Sequence, residues 1–69
     1  MARYTLDELE TAVGDEYRNN SNFRENVNKA IETKNQNWLF DLVKWVSDKL
    51  FGAVIESLIA AVVGDWWNG

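Results

Sequence analysis

The sequence predicts an all-α fold with two short N-terminal helices packed on a long apolar C-terminal helix. Three observations carry that prediction. The chain has no proline and only four glycines, too few turn-formers for a set of short strands. No stretch alternates apolar and polar residues long enough to make a half-buried strand. Apolar residues instead recur at three- and four-residue steps, the spacing that lines one face of a helix. At 69 residues and 8.0 kDa the chain is read as a single small helical domain over residues 1–69.

The first helix is predicted over about residues 6–18. Thr5-Leu6-Asp7-Glu8 is a Thr-x-x-Glu capping box, in which hydroxyl and carboxylate satisfy backbone N–H groups left open at a helix start. Asp7 and Glu8 also suit the positive end of the helix dipole. Leu6, Leu9, Val13 and Tyr17 share a face, and Gly14 is a tolerated weakness. Asn19-Asn20-Ser21-Asn22 is turn chemistry that doubles as N-cap chemistry, so a second helix is predicted over residues 21–34, with Phe23, Val27, Ala30 and Ile31 on its buried stripe. Asn35, Gln36 and Asn37 make the next turn.

The third helix is predicted over residues 37–67. Gly52 is its interior weak point, but Asp48 and Ala53 give a glycine cap no apolar contact, and no capping side chain follows at once. One continuous helix is therefore the first reading, and a compact four-helix domain with a break at Gly52 is the alternative. About 30 helical residues would span about 45 Å, against a diameter near 28 Å for a globule of this size with a radius of gyration of about 11 Å. Two helices of about 20 Å cannot cover both sides of such a rod, so the uncovered side is expected to need a partner.

Two stripes can be read on this segment. Leu39, Leu42, Val43, Val46, Leu50, Ala53, Val54, Ser57 and Ala61 form the one expected to meet the first two helices. Trp38, Trp45, Gly52, Ile59 and Trp66 recur at seven-residue intervals, flanked late by Ile55 and Val62. The Trp residues are either rim packing of an ordinary core or an assembly seam, although Asp41 and Asp48 argue against a regular zipper. Trp66 and Trp67 carry large apolar area on a chain end, as interface anchors do. The candidate partner interface is accordingly Trp38, Trp45, Ile55, Ile59, Val62, Trp66 and Trp67. Glu56 interrupts an apolar stretch and is a candidate for a buried ion pair with Lys49, Arg18 or Arg24; the plainer reading is a solvated helix edge. Small residues from Gly52 to Gly64 are consistent with tight packing and nothing more.

The chain contains no Cys and no His, which removes disulfides, zinc-finger spacing, thiol nucleophiles and imidazole bases. Ser21, Ser47 and Ser57 lack any nucleophile-elbow or Ser-x-x-Lys context. The Asp7/Glu8 and Asp15/Glu16 pairs read as solvated faces. No enzyme activity, metal or cofactor is expected. Eleven acidic against seven basic residues give a net charge of −4, the wrong sign for nucleic acid. Met1 to Leu6 has only Arg3 as a base with no apolar run behind it, and Ala2 offers no myristoylation site. A cytoplasmic address is expected.

The expected function is thus a non-enzymatic helical interaction or self-assembly module, an adaptor, assembly subunit or inhibitor, whose Trp-rich C-terminal helix binds a second copy or another protein. The alternative is a membrane-associating or membrane-active small protein acting as an oligomer, suggested by the apolar run between Trp45 and Trp66. The apolar part, Leu50 to Val63, contains Glu56 and falls short of the roughly 20 residues a span needs. The polar face has Asp41, Asp48 and Asp65 against Lys44 and Lys49, where interfacial helices carry an excess of bases.

Overall fold

The computed structural model describes residues 4–68. Ala2 and Arg3, on which the readings of signal and lipid anchor rest, lie outside the described residues. Four helices follow one another: α1 (Leu6–Asn19), α2 (Ser21–Glu32), α3 (Gln36–Phe51) and α4 (Glu56–Asn68). No strand occurs among the described residues.

Capping explains most of the boundaries. Thr5 Oγ1 accepts from the Glu8 backbone N–H at 3.3 Å, as the predicted cap requires. The Glu8 carboxylate takes the Thr5 hydroxyl at 3.1 Å instead of a backbone N–H, so the box forms only in its Thr5 half. Asn20 is the single residue between α1 and α2 and caps both. Its N–H donates to the Glu16 carbonyl at 2.8 Å, closing α1. Its Oδ1 accepts from the Phe23 N–H at 3.1 Å, opening α2. Asn35 does the same for α3 by accepting from the Trp38 N–H at 3.1 Å. The second helix ends at Glu32, two residues before its predicted end, because Lys34 adopts a left-handed conformation with φ 57°. That turn lets Asn35 N–H reach the Ala30 carbonyl at 2.8 Å and Lys34 N–H reach Ile31 at 3.1 Å, the paired bonds of a Schellman motif.

The predicted continuous helix over residues 37–67 is not what the chain forms. Gly52 stops α3 in the left-handed region at φ 68°, ψ 19°, and its N–H donates to the Asp48 carbonyl at 2.8 Å. The missing apolar cap contact is replaced by a polar one: the fully buried Ser47 donates its hydroxyl to the Ala53 carbonyl at 2.8 Å, holding the linker against α3. The larger gain comes from turning back. Folding α4 onto α1 and α3 buries Ile59, Val62 and Val63, each worth about 1.5–3 kcal/mol when removed from water. Together these exceed what a few linker residues lose by leaving the helix.

The core draws on all four helices. Leu9 and Val13 of α1, Phe23, Val27 and Ala30 of α2, Leu39, Val43 and Val46 of α3 and the three α4 residues form one cluster. α1 and α3 each pack against the other three helices. The radius of gyration is 11.2 Å and the extents are 38 × 23 × 17 Å. With the third helix folded in two, no rod of about 45 Å projects from the body, and the expected uncovered half of that rod does not exist.

Candidate interaction surface

The side chains that remain exposed follow from the helix faces. On α3, Leu39, Val43 and Val46 point into the core, so the opposite ridge of Asp41, Lys44, Trp45 and Asp48 meets water. Trp45 is 47% exposed, Leu50 45% and Val54 40%, three large apolar residues on the last turns of α3 and the linker after it. Tyr4 is exposed at the chain start but stacks obliquely on Phe51, with ring centroids 4.9 Å apart.

Trp45 is held from two sides. The Phe23 ring of α2 lies 6.0 Å away, and the Lys49 amine sits 5.0 Å above the indole, in cation–π range. Lys49 also donates to Glu16 Oε2 at 2.7 Å, tying α3 to α1. Glu16 Oε1 in turn accepts from the Asn20 amide at 3.4 Å, and Asn20 caps Phe23. Contacts therefore run from Lys49 to Glu16, Asn20, Phe23 and Trp45 and return to Lys49, crossing three helices. The Lys49 hydrogen bond, aided by the Asn20 amide and the Lys49 charge and opposed by desolvation, holds the Glu16 carboxyl below its ordinary value.

Two depressions flank this part of α3. On its outer side Asp41, Lys44, Trp45, Asp48 and Val54 border an open hollow of about 420 Å³. On the side facing α1, hollows of about 330 and 240 Å³ adjoin and share Ala12, Asp15 and Leu50. Their floor is apolar, from Ala12, Val46 and Leu50, and their walls carry Asp7, Glu8, Asp15 and Glu16 with Lys49 as the cation. Asp15 pairs with Arg18. Asp7 and Glu8 have no basic partner among the described residues.

The residues picked from the sequence scatter across this architecture. Trp45 lies on the exposed ridge, and Trp38 is partly buried against the core. Ile55 is partly buried in the linker. Ile59 and Val62 are fully buried inside the chain's own core and offer no surface to a partner. Trp66 and Trp67 are partly buried against that core, Trp66 with its ring 5.2 Å from Tyr17. The seven-residue series through Trp38, Trp45, Gly52, Ile59 and Trp66 is thus cut at Gly52 and split between two helices. Glu56 is exposed in the first turn of α4, where the helix dipole favours a carboxylate, and makes no buried ion pair. Ser57, Ala60 and Ala61 are exposed rather than packed.

Sequence reasoning missed Leu50 and Val54. Both fall on the stripe that reads as core, and only their place past the cover of the neighbouring helices exposes them. It also missed the Glu10/Asp65 contact between α1 and α4. There a hydrogen bond that a protonated Glu10 donates to Asp65, then desolvation and the charges of Asp65 and Asp7, raise the Glu10 carboxyl above its ordinary value. Glu10 Oε1 is buried without a hydrogen-bond partner. No signal in the sequence pairs two acids that lie on separate helices.

Chemistry-bearing groups do not converge. Ser47 spends its hydroxyl on the linker, while Ser21 and Ser57 are exposed. Among the described residues no group of three or more His, Cys, Asp or Glu is placed to hold a metal, and no helix is long and apolar enough to cross a membrane. No protein-family model, curated protein or solved structure matches the chain.

Proposed function

We propose that the protein is a non-enzymatic helical interaction module whose contact surface is the C-terminal half of α3, centred on Trp45 and Leu50. The observation that carries this is the exposure of Trp45, Leu50 and Val54 beside a core that is otherwise closed. Trp45 and Val54 border one hollow and Leu50 the hollows on the other side of α3. Exposed large apolar residues mark contact sites, and Trp is enriched at binding hot spots. Trp66 and Trp67 leave the candidate surface, since they serve the chain's own core.

The partner is a second copy or another protein, and a cytoplasmic address is part of the same proposal. Nucleic acid is disfavoured by the net charge of −4. Interfacial membrane binders carry an excess of Lys and Arg on the polar face, whereas around Trp45 Lys44 and Lys49 are balanced by Asp41 and Asp48 and Lys49 is also bonded to Glu16.

A photo-crosslinking residue placed at position 45, with a control at the exposed Ala61 on α4, tests the proposal in the producing cell. A discrete adduct from position 45 and none from position 61 is expected. Equal, diffuse labelling from both positions would overturn it. Light scattering at micromolar concentration then tells whether the captured chain is a second copy.

A further inference from the structure

Resting on the interaction-module reading, we infer that the trough between α1 and α3 receives a basic amphipathic helix from another protein. Three features of the trough specify that occupant. Its floor is apolar, made by Ala12, Val46 and the exposed Leu50. Its α1 wall is acidic, with Asp7 and Glu8 free of basic partners among the described residues, Asp15 paired with Arg18, and Glu16 matched by Lys49 from the α3 wall. It runs beside α1 from Asp7 to Glu16, about 14 Å of helix, which accommodates two to three turns of a partner.

A helix suits a trough two to three turns long, and strand addition is unavailable because the described residues contain no sheet edge. Recognition falls to side chains, and an apolar stripe with Lys or Arg on the flank that meets α1 matches an apolar floor beside the α1 carboxylates, its other flank uncharged toward Lys49 of α3. A second copy fits poorly. Every helix of this chain turns its apolar stripe into its own core, and another −4 of charge would be brought to an α1 wall that is already acidic.

The trough is tested by anisotropy titration of a labelled synthetic peptide, a 14-residue helix with a leucine stripe flanked on one side by lysines. Three controls accompany it: the same helix with Glu for Lys, the lysine helix with Ser for Leu, and the full-length protein carrying Leu50→Ser. The lysine–leucine helix should bind, and weaken as salt rises. Both altered peptides, and Leu50→Ser with the original peptide, should bind at least tenfold more weakly. Leu50 is exposed, so the fold should survive, and far-UV circular dichroism checks it. If Leu50→Ser does not fold, the Asp7→Asn/Glu8→Gln pair reads the α1 wall instead, with severalfold weaker binding and a shallower salt dependence expected. Equal binding of the Lys and Glu helices, or undiminished binding by the variant that folds, would overturn the inference. So would a protein dimer that Leu50→Ser abolishes. A specific adduct from position 45 alongside failed peptide binding would sink this inference and leave the interaction module standing. Loss of both would sink the two together.

Discussion

Lys34 holds φ 57° at the end of α2, a conformation that costs an L-residue with a Cβ about 1–2 kcal/mol. The Schellman bonds around it compensate, and glycine would keep them without the penalty. Lys34→Gly is therefore expected to raise stability by about 0.5–1 kcal/mol, read as a higher urea midpoint at unchanged slope. Gly52 presents the opposite case. A Cβ there meets nothing within 4 Å, so crowding is not the obstacle, and the φ of 68° alone makes alanine unfavourable. Gly52→Ala should lower stability by about 1 kcal/mol, with the urea midpoint moving down. Residue-level signals of this kind were partly legible. The Thr5 and Asn20 caps could be read because each acts within three residues, whereas Asn35 reads as turn and caps α3 in the structure. The left-handed Lys34 could not, since nothing in a lysine announces that conformation.

At the scale of elements, the α1–α4 contact carries an electrostatic conflict. Glu10 and Asp65 face each other across it, Asp7 adds its charge from the same helix, and Glu10 titrates above its ordinary value of 4.5. A carboxyl raised in the folded state contributes stability that is full below its unfolded pKa and is lost as pH rises through its folded pKa. Glu16, lowered by Lys49, contributes in the reverse direction: its share is present above the ordinary value and disappears as pH falls through the folded one. Glu10→Gln should thus stabilise the protein at neutral pH by about 1 kcal/mol, since an amide can donate to Asp65 where a carboxylate repels it. The gain should shrink toward pH 4. Thermal melts of both proteins from pH 4 to 7 check it, and a constant difference across that range would contradict the assignment. The break at Gly52 also belongs to this scale. Its local signals favour continuity, whereas the deciding gain, burial of Ile59, Val62 and Val63 as α4 packs on α1 and α3, is a tertiary effect that no window around residue 52 contains.

For the whole molecule, helix class and most of the core were legible from periodicity. Leu9, Val13, Phe23, Val27, Ala30, Leu39, Val43 and Val46 fall on the predicted stripes and are buried. Of the candidate residues, Trp45 is exposed whereas Ile59 and Val62 are buried, because surface and core positions look alike until topology separates them. That separation gives a paired prediction. Trp66→Ala removes a ring packed on Tyr17 and should cost about 2–3 kcal/mol, a large share of the roughly 3–10 kcal/mol available to a domain of this size. Trp45→Ala should change stability by only about 0.5 kcal/mol while weakening association, and denaturant melts of the two variants distinguish them. The closed circuit from Lys49 through Glu16, Asn20 and Phe23 to Trp45 has a dynamic consequence. A ligand that draws Lys49 off the indole also withdraws it from Glu16, and Glu16 is one support of the Asn20 side chain that shields the Phe23 amide. Occupancy on α3 would then register as faster amide hydrogen exchange at the first turn of α2, a distant and silent reporter that NMR can follow without touching the ligand.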